Sequence, residues 1–122
     1  MPMKILVIDD EAHIRRALEF RLRREGFDVL TAEGGVEGLA KIRSEHPDLV
    51  LLDIMMDDKD GYEVAEECKA DPELKDIPIF LVTAYGQDVE KDKGLSIGVE
   101  AYVTKPFRPS QLIEKIRQQL GE

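Results

Sequence analysis

A chain of 122 residues has room for one core with helices on both faces of a sheet, and too little for two domains. Its 26 acidic residues against 17 basic ones leave a net charge of -9, which repels nucleic-acid backbones and anionic lipid headgroups. No stretch approaches the roughly 20 apolar residues a bilayer span needs, and the single cysteine, Cys68, rules out an internal disulfide and fits a reducing, cytoplasmic compartment.

The first element is the apolar run Ile5-Leu6-Val7-Ile8, which has the length and branching of a strand buried on both faces and ends in Asp9-Asp10. Ile14, Ala17, Leu18 and Leu22 then recur at helical spacing, and Gly26 closes that helix. Phe27 to Ala32 mixes apolar and polar residues, as an edge strand does. Val36, Leu39 and Ala40 mark a second helix that Pro47 stops. Leu49 to Leu52 is a second buried strand, ending in Asp53. Val64, Ala65 and Cys68 give a third helix, stopped by Asp71-Pro72. Ile79 to Val82 is the next buried strand and ends in Thr83-Ala84. Val89, Leu95 and Ile97 form a thin stripe for a fourth helix within about Asp88 to Ile97, weakened by Gly94. An edge strand over Glu100 to Thr104 leads to Lys105-Pro106-Phe107, whose Lys-Pro bond is a candidate for the cis isomer. Pro109-Ser110 opens a last helix carrying Leu112, Ile113, Ile116 and Leu120.

Five strands alternating with helices imply an α/β fold of the flavodoxin-like, doubly wound kind: a parallel sheet in the order 2-1-3-4-5 with helices on both faces, all in one domain over residues 1–122. In that order the winding reverses between the first and third strands, and the crevice beyond their carboxyl ends is where such folds place their sites. Asp9 and Asp10 finish one of those strands and Asp53 the other. Three crowded carboxylates repel one another unless a proton or a cation intervenes, and an open, all-oxygen set suits magnesium, with manganese able to substitute. Thr83 and Lys105 reach the same edge from the next two strands. Together these groups can hold a phosphoryl group and leave one carboxylate as its nucleophile. His13 and His46 are too far apart to share a ligand with the acids and are expected to face solvent. Arg21, Arg23 and Arg24 are expected to form a solvated helix face.

The ordered set Ile8-Asp9-Asp10-Glu11, Leu52-Asp53-Ile54-Met55-Met56, Asp60-Gly61, Val82-Thr83-Ala84 and Tyr102-Val103-Thr104-Lys105-Pro106-Phe107 resembles the receiver domain of bacterial two-component response regulators, of the chemotaxis-regulator-like single-domain kind. The resemblance covers essentially the whole chain. It implies that Asp53 is the phosphoacceptor and that Asp9, Asp10, Asp53 and the backbone carbonyl of Met55 hold magnesium. It also implies that Thr83 and Lys105 bind the phosphoryl group, and that Tyr102, with Thr83, forms the switch. The donor it implies is a histidine kinase or a histidine phosphotransfer protein. The fourth predicted helix, fifth strand and last helix would be the output surface. Two positions depart from the family's pattern: Asp57 stands where receivers often have proline, and Lys59 where they often have an apolar residue.

Three other readings compete. An aspartyl-phosphate phosphohydrolase typically has a second acid two residues after its nucleophile, where this chain has Met55. Flavin binding at the same crevice wants glycine or hydroxyls after the first strand, and Asp9-Asp10-Glu11 would repel the flavin phosphate. A scaffold independent of phosphorylation has no need of the full residue set.

Overall fold

The computed structural model describes residues 2–84 and 96–121. Its strands are β1 (Lys4–Ile8), β2 (Asp28–Ala32), β3 (Leu49–Asp53), β4 (Ile79–Ala84) and β5 (Ala101–Lys105), and its helices α1 (Ala12–Arg24), α2 (Gly35–Glu45), α3 (Gly61–Ala70) and α4 (Pro109–Leu120). The helix expected within about Asp88 to Ile97 lies outside the described residues, apart from Ser96 and Ile97, which are helical. All the strand pairs are parallel and the order is β2-β1-β3-β4-β5, as the alternation of elements predicts.

Because side chains alternate along a strand, each central strand feeds two cores. Leu6, Ile8, Val50, Leu52, Ile79 and Leu81 pack under α2 and α3, against Leu39, Ile42, Val64, Ala65 and Cys68. Ile5, Val7, Leu49, Leu51, Phe80 and Val82 pack under α1 and α4, against Leu18, Leu22, Leu112, Ile113 and Ile116. Burial on both faces is why these strands read as continuous apolar runs.

The helix ends follow local chemistry. Gly26 takes φ +94 just beyond α1, Pro109 occupies the first turn of α4, and Asp60 with Glu63 forms a reciprocal capping box at the start of α3. The Lys105-Pro106 bond is cis.

One helix face departs from its sequence reading. Val36 is 58% exposed and Ala40 is also exposed, whereas Gly35, Gly38, Leu39 and Ile42 are buried. The inward stripe of α2 is carried partly by glycine because the helix lies close on the sheet: a Cβ on Gly38 would stand 2.4 Å from Cδ1 of Ile8.

Candidate functional site

The register places the site. Ile8 pairs with Leu52, so the residues after β1 and the last residue of β3 emerge side by side at the winding reversal. Asp53 pairs with Val82, Thr83 follows Val82, and Ala84 pairs with Lys105, so the same edge continues onto β4 and β5.

Carboxylate oxygens of Asp9, Asp10, Glu11 and Asp53 all lie within 4.8 Å of one another. Asp9 and Asp53 are only 2% and 4% exposed, while Asp10 and Glu11 stand at the mouth. The two oxygens of Asp9 are divided: Oδ1 accepts the Glu11 amide at 2.9 Å, and Oδ2 lies 3.0 Å from the Lys105 ammonium. Lys105 also meets Glu11 Oε1 at 3.2 Å and reaches Asp53 Oδ1 at 3.8 Å. Among the described residues, one ammonium faces a cluster of four carboxylates, two of them buried, which leaves an excess of negative charge there. That set of oxygen donors fits a hard divalent cation.

The ionisation of the site follows from its surroundings. Burial pushes the Asp53 carboxyl up to about 7; Asp9 and, less strongly, Asp10 add to the rise, against Lys105 and the Met55 amide. For Lys105, burial pulls the ammonium down, but Asp9, Asp53 and Glu11 outweigh it and the net shift is upward. The Thr83 hydroxyl is buried and has no hydrogen-bond partner among the described residues. A buried hydroxyl without a partner costs stability, and a phosphoryl oxygen arriving at this edge is a group that would satisfy it.

The response regulator receiver domain family matches residues 5–117, nearly the whole chain. The chain belongs to that family.

Among curated relatives, the receiver domain is 48% identical over 117 residues to "Probable transcriptional regulator ycf27" from Pyropia yezoensis, and equally so to the protein of that name from Porphyra purpurea. Each alignment covers 96% of this chain and 47% of the relative, so the chain spans about half the length of these proteins. Among solved structures, a response regulator of Chloroflexus aurantiacus superposes with TM-score 0.92 at 31% identity, covering 100% of both chains. A CheY-like receiver domain protein of Methanospirillum hungatei gives 0.90 at 34%, covering 99% of this chain and 95% of that one. These are flavodoxin-like, CheY-fold molecules with the strand order found here.

The acids expected at this receiver domain's site and Lys105 do converge, with Thr83 on the adjoining strand. Met55 lies two residues beyond Asp53, its amide bonded to that carboxylate and its side chain 59% exposed. Tyr102, the second residue of β5, pairs with Leu81 and packs, partly buried, against the core beneath α2 and α3. His13 and His46 are both exposed. Arg21 and Arg23 pair with Glu25 and Glu19 along α1, and Arg24 lies over the Phe20 ring, so this face is charged and solvated.

Three contributors escape a sequence reading. Glu11 joins the cluster and shares Lys105. Arg15 donates to the backbone carbonyl of Asp9 at 2.7 Å. Asp58 accepts the amides of Gly35 at 3.0 Å and Val36 at 3.2 Å, capping α2 across space. Those amides, with that of Lys59, hold the Asp58 carboxyl below its usual range. Lys59 pairs with Glu67 on α3. The loop after Asp53 is therefore tied to two helices without the proline that family members often carry at position 57. Gly61 closes it: a Cβ there would stand 2.6 Å from the Asp53 carbonyl oxygen.

Proposed function

We propose that this receiver domain is a phosphoacceptor switch, in which Asp53 takes a phosphoryl group from a histidine kinase or a histidine phosphotransfer protein in a magnesium-dependent reaction. One juxtaposition carries the reading: a buried carboxylate grouped with three others, an ammonium within 3.8 Å of it, and on the neighbouring strand a buried hydroxyl with no partner among the described residues. Asp9, Asp10, Asp53 and the backbone carbonyl of Met55 would hold the magnesium, or manganese. The cation's chemistry there is to neutralise the oxygens of the transferring phosphoryl group.

The chain's own residues supply the rest. An Asp53 oxygen forms the new P–O bond as the donor's P–N bond breaks, and that electron pair leaves on the imidazole nitrogen. Without a cation, burial and the neighbouring acids raise the Asp53 carboxyl to about 7; magnesium held beside it would favour the ionised, nucleophilic form. Lys105 moves its bonds from Asp9 and Glu11 to a phosphoryl oxygen, and Thr83 donates its hydroxyl to another. The displacement of Thr83 makes room for Tyr102 to turn, and the surface that includes β5 and α4 changes its affinity for a partner.

The domain thus acts as a cytoplasmic regulatory module whose only chemistry is on itself. Where such a receiver lies within a longer protein, as in its ycf27 relatives, the same surface would address the remainder of that chain. No observation favours the phosphohydrolase reading, since the residue two beyond Asp53 is the exposed Met55.

Incubation with acetyl phosphate, in magnesium and separately in EDTA, followed by intact-mass measurement, tests the proposal. One phosphoryl group is expected on the parent chain in magnesium, and none in EDTA or on Asp53→Asn. Phosphate on both proteins would remove Asp53 as acceptor, and phosphate on neither would remove the switch.

A further inference from the structure

Asp9 is where β1 loses its neighbours and the chain turns into α1. Its amide still donates to Ala32 on β2, at 3.1 Å. Its carbonyl is instead taken by Arg15, one turn into α1, whose Nη1 donates at 2.7 Å. Nη2 of the same guanidinium donates to Glu33 Oε1 at 3.2 Å, in the loop between β2 and α2. Only 11% of the Arg15 side chain is exposed, against 76% for Glu33, so the arginine is the fixed member of that pair.

This arrangement controls an atom group that the acids themselves cannot control. The carbonyl of Asp9 belongs to the peptide plane that joins it to Asp10, and the orientation of that plane sets where the Cα–Cβ bond of Asp10 points. Asp9 is held through its own side chain, by the Glu11 amide and Lys105. Asp10, exposed at the mouth of the cluster, depends on the backbone leading into it. A bond from a planar guanidinium to a carbonyl oxygen is short, directional and charge-assisted, well suited to fixing a peptide.

We infer that Arg15 is a positioning residue for the cation-binding acids, presenting the Asp10 carboxylate to the cluster by clamping the Asp9–Asp10 peptide. The inference rests on the magnesium site proposed above and adds a residue that touches neither metal nor phosphoryl group. It makes a prediction of sign. If Arg15 mattered only as a nearby positive charge, removing it would strengthen cation binding, because its guanidinium lies against the backbone of Asp9, a member of the cluster. As a positioning residue its removal must weaken binding, in the range typical of groups that orient metal ligands.

The test is calorimetric titration of magnesium into the full chain at pH 8, with a urea unfolding curve for each variant to verify that it is folded. Arg15→Gln is expected to raise the magnesium Kd about tenfold. Arg15→Lys keeps the charge and one donor, and is expected to recover part of that loss. Glu33→Gln removes the ion pair but leaves the carbonyl bond, and is expected to stay within about twofold of the parent. Equal or tighter binding by Arg15→Gln overturns the inference, as does a loss in Glu33→Gln as large as that in Arg15→Gln. Should Arg15→Gln not fold, Arg15→Lys decides, with a Kd equal to the parent's counting against the clamp. A parent chain that takes up no magnesium would instead remove the proposed site itself, and the inference with it.

Discussion

The two ends of the parallel sheet treat charge in opposite ways. At the end where the strands begin, Lys69 is buried against the carbonyls of Lys75 and Ile77 and both oxygens of Glu100, all within 3.2 Å, and Glu100 also accepts the Ile79 amide at 2.7 Å. Lys69 and Glu100 complement one another there. At the end where the strands finish, three of four clustered carboxylates share one lysine, a buried hydroxyl has no partner among the described residues, and the Asp53 proton is held to about 7. The same sheet is stapled at one edge and held under electrostatic tension at the other. The difference marks the working end, because groups left unsatisfied by the fold are available to a ligand.

Substitutions at the two ends are therefore expected to move stability in opposite directions. The largest effect belongs to Asp53. The unfolded carboxyl ionises near its ordinary value of 3.8 and the folded one near 7, so between these values the folded chain binds the proton more tightly and stability falls as pH rises. At pH 8 in EDTA, Asp53→Asn is expected to be more stable than the parent by up to about 4 kcal/mol, and urea curves at pH 5 and pH 8 should show the gap opening with pH. A gap that is flat or closes would break the comparison.

At the closed end the sign reverses. Lys69→Met leaves Glu100 partly buried without its cation and is expected to cost about 3 kcal/mol by urea unfolding. It should leave magnesium uptake and phosphorylation unchanged. A stabilising Lys69→Met would mean that the staple is only an ion pair in water.

Two smaller effects sharpen the boundary between the ends. Asp58→Ala removes the carboxylate that caps α2, and its urea midpoint is expected to fall by less than that of Lys69→Met. Although it lies five residues from Asp53, its role is structural, so magnesium affinity should barely change. Thr83→Val replaces an orphaned hydroxyl with a methyl of the same shape and is expected to stabilise by less than about 1 kcal/mol. The same variant should take phosphate from acetyl phosphate more slowly, which makes it a small gain in stability joined to a loss of function.

Which parts of this molecule can be read from its residues depends on whether the causes are local. The three central strands announce themselves, because burial on both faces demands unbroken apolar runs, and their terminal residues name the acids, Thr83 and Lys105. Alternation of elements, right-handed crossovers and helices on both faces together favour the strand order that is found. The face of α2 does not show in the same way: Gly35 and Gly38 carry no hydrophobic signal, yet they are the buried residues, and the apolar Val36 lies outward. Asp58 and Arg15 are hidden for a different reason. Their partners are the amides of Gly35 and Val36 and the carbonyl of Asp9, and backbone groups have no identity in a sequence pattern. Glu11 sits in plain view beside Asp9 and Asp10, but its bond to a lysine 94 residues away exists only after folding.

The claim on which the rest depends is that the acids ending β1 and β3 and the lysine ending β5 serve one cation site. Amide NMR spectra recorded during a magnesium titration near neutral pH test it most directly. Amides of Asp10, Ile54, Met55 and Lys105 should shift together with a single saturation curve, while those of Lys69 and Glu100, at the stapled edge, stay in place. Separate curves for the β1 and β3 residues, or no saturable shift in any of them, would contradict it.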